Sequence, residues 1–83
     1  MPDEIVSMLS ENEALDYISK CRDENVFILG VDGFICTERG FIASLDLIID
    51  LSLETRSIDE AATEAERFIK AKAAPDILFE ICT

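Results

Sequence analysis

The chain has no histidine and no tryptophan, and only seven Lys and Arg stand against eighteen Asp and Glu. Without histidine the usual general base and metal ligand near neutral pH is missing. Cys21, Cys36 and Cys82 therefore have no imidazole to activate them, and a nucleophilic thiol needs a base or a cationic setting. Three cysteines with no CxxC spacing argue against a zinc site or a closed disulfide framework. Each sits among apolar neighbours and reads as a small buried hydrophobe in a reducing compartment.

Other signatures are missing as well. Gly30-Val31-Asp32-Gly33 fits neither GxGxxG nor GxxxxGK[ST], so no dinucleotide or phosphate loop is present. Asp32-Gly33 lacks the alternating oxygen ligands and closing Glu of a calcium loop. No cofactor, metal ligand or catalytic residue is assigned, and a non-enzymatic protein is expected. The longest apolar run, which begins at Val26, is far too short to cross a bilayer. Met1-Pro2-Asp3-Glu4 opens without a basic or long apolar leader. The expectation is a cytoplasmic protein with no membrane contact.

What is present is charge and apolar content together. The net charge is −11 on 83 residues, yet 49% of the residues are apolar. That apolar fraction excludes disorder despite the charge. The length suits one domain, residues 1–83, with a small core and marginal stability. A homodimer would bury more apolar surface. The field disfavours direct contact with nucleic acid and favours a basic protein partner.

Local patterns predict the elements. Ile5, Met8 and Leu9 have helical spacing, and Ser10-Glu11-Asn12-Glu13 reads as a capping box. Ala14, Leu15, Ile18 and Cys21 continue one stripe, so one bent helix or two short ones is expected over residues 3–22. Val26 to Cys36 is apolar on both alternating faces, as a central, doubly covered strand would be. Thr37-Glu38-Arg39-Gly40 suits a hairpin turn. From Phe41 to Leu53 every second residue is apolar, which predicts a strand with one wet face through 41–46. Residues 47–52 fit strand or helix. Ser57-Ile58-Asp59-Glu60 is a second capping box ahead of a helix that Pro75 must end. Ile77 to Cys82 reads as a last strand. The expected fold is α/β in the α+β sense: a small two-layer sandwich in α-β-β-α-β order. About three mostly antiparallel strands would carry helices on one face.

The candidate site residues are acids. Asp46, Asp50 and Glu54 recur at four-residue steps, which brings them to one side of a strand or of a helix. Such a row fits a hard-cation site, a general acid–base pair, a docking strip for Lys and Arg, or a solvated face that discourages aggregation. Glu60 and Glu64 add a like-charge i, i+4 pair. Asp32, a charge in an apolar run, needs a partner, and Arg39 across the hairpin is a candidate. Ala43-Ser44-Leu45-Asp46 resembles the phosphopantetheine segment of acyl carrier proteins in its Ser44-Leu45 pair. Ala43 stands where that family has Asp, and its helical bundle does not suit the 26–36 run. The function expected is docking of a basic protein through Asp46, Asp50, Glu54, Glu60 and Glu64. Its sharpest form is an inhibitor or immunity-type partner of a nucleic-acid-binding enzyme, with the alternatives a homo-oligomerising accessory protein and a carboxylate–metal enzyme.

Overall fold

Both capping boxes form, and each starts a helix. Ser10 Oγ accepts from the Glu13 amide at 3.2 Å while Glu13 accepts from the Ser10 amide at 2.9 Å. Ser57 and Glu60 repeat the exchange at 3.0 and 2.9 Å. Four orphan amide donors are thus satisfied by residues three apart in sequence, with no tertiary help. The computed structural model describes residues 5–52 and 57–83. In chain order the elements are β1 (Ile5–Leu9), α1 (Glu11–Asp23), β2 (Gly30–Thr37), β3 (Gly40–Asp50), α2 (Ile58–Lys72) and β4 (Ile77–Cys82).

The protein is α+β, with one four-stranded sheet in the order β1-β4-β2-β3 and every neighbouring pair antiparallel. β2 is central, with its hairpin partner β3 on one side and β4 on the other, as its apolar composition predicts. β4 lies between β1 and β2, and β2 lies between β3 and β4, so two split βαβ units interleave. At the β2–β3 turn Thr37 Oγ1 donates to the Gly40 carbonyl at 2.9 Å and accepts from the Arg39 amide at 3.2 Å. Gly40 has φ 126°, a value side chains rarely allow.

Both helices pack on one face of the sheet and against each other. Val31, Phe79 and Ile81 project from the sheet into that layer and are fully buried with Ile18, Ile28, Leu51 and Ile69. Ala61, Ala62 and Ala65 on α2 have no exposed surface, and their small side chains let the helix lie close to its neighbours. Arg22 clasps the helices together. Its Nε donates to Asp59 at 2.8 Å, its two terminal nitrogens to Glu66 at 3.1 Å, and one of these also to Thr63 at 3.2 Å.

Three expectations need correction. The order is β-α-β-β-α-β with four strands, not α-β-β-α-β with about three. Residues 5–9 are a strand, because Ile5 and Val6 pair with Cys82 and Ile81, a contact no local pattern reveals. The 26–36 run is strand only from Gly30, and it is covered on one face rather than two. Residues 47–50 resolve as strand.

The alternation along β3 also serves two faces rather than one. Phe34 pairs with Ala43, whereas Asp32 pairs with Ile48. Two steps along β2 are therefore matched by five along β3, and the odd difference exchanges the faces. Leu47 and Ile49 turn toward the helices, while Phe41 and Ala43 lie on the opposite side. Leu47 fills the space at Gly33, where an added Cβ would approach its Cβ to 3.0 Å.

Candidate functional site

The sheet face away from the helices is the candidate site, and strand pairing builds it. Directly paired residues share a face, and residues two apart return to it. Opposite the face that buries Val31 and Phe79, Asp32 lies between Ile48 and Glu80. The row beside it places Gly30 between Asp50 and Cys82, and the row on its other side places Phe34 between Ala43 and Leu78. Ile5 continues the face beyond Cys82. Apolar side chains thus surround a group of carboxylates. Ile5 is 61% exposed, Phe41 56% and Ile48 43%, which is high for large side chains in a sheet.

The carboxylates are not equivalent. Asp32 and Glu80 face each other across adjacent strands, and partial burial, then the neighbouring Glu80, pushes the Asp32 carboxyl above its ordinary range. Ser7 Oγ donates to Glu80 at 2.8 Å and so links β1 to this pair. Asp50 is held below its ordinary range because the Ser52 hydroxyl and amide both donate to it, the amide at 2.9 Å. An open cleft of about 280 Å³ lies beside Asp32 and Asp50, lined by Gly30, Asp32, Ile48, Asp50, Ser52 and Cys82 among others. At Gly30 the absence of a side chain leaves the cleft floor open. One ligand atom each of Asp32, Glu80 and Cys82 falls within 4.8 Å of the other two. Such a trio, two hard oxygens and one soft sulfur, has the chemistry to hold a cation. None of the three cysteines forms a disulfide.

None of the four strands contains Lys or Arg. Their charged residues are Asp32, Asp46, Asp50 and Glu80, all acidic. Five of the seven basic residues lie on α1 and α2. There Arg22 is bound to Asp59 and Glu66, and Arg67 to Glu64 at 3.0 Å. The molecule is therefore polarised: a helix layer with mixed, partly paired charge and strands with carboxylates alone.

The acids singled out from sequence do not gather into one strip. Asp50 joins the open face. Asp46 lies in the irregular stretch between the two paired parts of β3, where its amide donates to Ser44 Oγ at 3.4 Å. Ser44 is thus on a strand, not at the start of a helix. Glu54 lies outside the described residues. Glu60 and Glu64 belong to the helix layer, where Glu60 completes the capping box and Glu64 accepts from Arg67. Asp32 meets Glu80, a second acid, and not Arg39. Glu80 escaped the sequence reading. Its signal was the one available for Asp32, a carboxylate standing alone inside an apolar strand.

Comparison of the chain with family models, with curated proteins and with solved structures gave no match in any of the three. Among the described residues no helix is long and apolar enough to cross a membrane.

Proposed function

We propose that the chain is a non-enzymatic binding module whose partner is a basic protein. The supporting observation is the segregation of charge: the strands carry carboxylates and no cation, within a chain of net charge −11. A field of one sign steers an oppositely charged partner and raises its association rate, by about 10–1,000-fold at low salt. In the narrower form of this reading the partner is a nucleic-acid-binding enzyme, whose basic cleft the acidic surface occupies in place of phosphates.

The test is affinity capture from nuclease-treated lysate of the native host, followed by binding kinetics with the protein recovered. A stoichiometric basic partner, associating more slowly as salt rises and displaced from nucleic acid by this chain, is the expected result. A partner whose association rate ignores salt would remove the electrostatic basis of the reading. A second reading, self-association, draws on the exposure of Ile5, Phe41 and Ile48. Sedimentation equilibrium separates the two, since only self-association makes the mass of the isolated chain depend on concentration.

A further inference from the structure

We infer that the open face of the sheet is the docking surface, and that its occupant is an apolar patch of the partner with one arginine or lysine at its centre. This inference rests on the reading that the partner is basic, and it assigns the place and the chemistry of contact.

Composition and charge both constrain what covers this face. The ring formed by Ile5, Phe34, Ile48 and Leu78 calls for an apolar counterpart, since exposed patches of this kind mark interaction surfaces. The centre of the ring calls for a cation. Asp32 and Glu80 lie there, with Asp50 beside them on the edge strand, and among the described residues no Lys or Arg pairs with any of the three. Within the fold the Asp32–Glu80 juxtaposition is repulsive when both are ionised; protonated Asp32 can donate to Glu80, and the Ser7 hydroxyl, which is neutral, donates to Glu80 as well. A guanidinium or ammonium in the cleft beside Gly30 reaches Asp32 and Asp50 together and turns a repulsive centre into an attractive one.

A second copy of the chain fits poorly. A two-fold axis through this centre would set the Asp32–Glu80 pair over its own equivalent. Any other two-fold contact on this face still brings together two carboxylate-bearing surfaces with no cation, where covering like charges carries a desolvation penalty with no gain. The helix layer is a weaker candidate for the partner, because five Lys and Arg are interspersed among its acids and Arg22 and Arg67 are already engaged with Asp59, Glu66 and Glu64. The face therefore selects by sign, rejecting acidic surfaces and its own kind.

The probe is the capped tripeptide acetyl-Ile-Arg-Ile-amide, compared with the same peptide carrying neutral, isosteric citrulline in place of arginine. Each is titrated into the isotopically labelled chain and followed by amide chemical shifts. The arginine peptide is expected to saturate within roughly 10 mM, a range that suits a ligand of this size. Its shifts should centre on Gly30, Asp32, Asp50 and Glu80. The citrulline peptide should bind about fivefold more weakly or worse, and Asp32→Asn with Asp50→Asn should produce a similar loss. Equal binding of the two peptides, shifts centred on α1 or α2, or no saturable shift would overturn the inference. A concentration-dependent dimer whose contact maps to this face would also overturn it and give the face to a second copy.

Failure of this inference is distinguishable from failure of the functional reading. A captured basic partner that still binds Ile48→Ser and Glu80→Gln at full strength leaves the reading intact and removes this surface. Both side chains are at least partly exposed, and retained helical circular dichroism would show that the variants fold. If the arginine peptide seats as expected but no basic protein binds the chain, the assigned surface is supported and the functional reading falls.

Discussion

The two faces of the sheet are made from the same strands and the same kinds of residue, yet one is finished and the other is not. Phe79 and Phe41 show the contrast. Phe79 lies beneath the helices with no exposed surface, whereas Phe41 lies on the opposite face and is 56% exposed. On the helix side acids and bases are mixed, and Arg22 and Arg67 pair with Asp59, Glu66 and Glu64; on the open side, among the described residues, Asp32, Asp50 and Glu80 have no cation paired with them. One face follows the rules of a stable core and the other departs from them, and such departures mark function more often than neglect.

The largest test of this contrast uses one substitution on each face. Phe79→Ala should lower stability by about 3–5 kcal/mol, enough to unfold much of a domain this small. Phe41→Ala should change it by less than about 1 kcal/mol. Urea denaturation of the pair reads the difference, and equal losses would mean that the open face is as well packed as the covered one.

Gly30→Ala probes the floor of the cleft. Its new Cβ would approach the Ile49 carbonyl oxygen to 2.8 Å, and that oxygen belongs to a paired strand that cannot easily give way. A loss of about 1–3 kcal/mol is expected by the same measurement. A neutral result would show that β2 and β3 can separate locally at this point.

Arg22→Met removes the clasp but keeps much of the aliphatic stem. The residue is partly exposed, so the loss should be near 1 kcal/mol and should shrink in high salt. A salt-independent loss would assign the role of Arg22 to its stem rather than to its charge.

Asp32→Asn should act in the opposite direction. The folded state raises the Asp32 pKa, so the folded chain binds this proton more readily than the unfolded one does. Ionised Asp32 therefore costs stability at neutral pH, and the cost fades as pH falls through the raised value. The Asn variant should be modestly more stable at pH 7, with the advantage shrinking as pH is lowered through the raised value. Glu13 and Asp50 have the reverse sign: both are held low, so their contribution is present at neutral pH and is lost as pH falls through their folded values. Thermal melts across this range test the prediction, and destabilisation by Asp32→Asn at pH 7 would contradict it. Stabilisation together with loss of arginine binding would show that the residue serves contact at the expense of fold.

Local chemistry was legible in the sequence and distant pairing was not. Ser10–Glu13 and Ser57–Glu60 are complete within four residues, so both helix starts could be read directly. The interruption at Pro75 and the turn at Gly40 are local as well. β1 was missed because Ile5, Met8 and Leu9 also satisfy helical spacing, and what makes them a strand is β4, at the other end of the chain. The site was half legible. Asp50 was chosen for its place in a row of acids, but it belongs with Asp32 and Glu80, which adjacent strands bring together. Periodicity reports which residues share a face of one element; it carries no information about which element lies alongside.

The irregular stretch between Ala43 and Ile48 sets a rule for how this chain can vary. Pairing with β2 sets Phe41 opposite Cys36 and Ala43 opposite Phe34 on one side of this stretch, and Ile48 opposite Asp32 on the other. A bulge takes up extra residues while pairing resumes on both sides. Adding or removing a residue among 44–46 should therefore change the size of the bulge and leave both faces as they are. Leu45, 88% exposed, should accept substitution as readily. The segment is slack in the hairpin: its length is free to drift while the paired ends stay fixed.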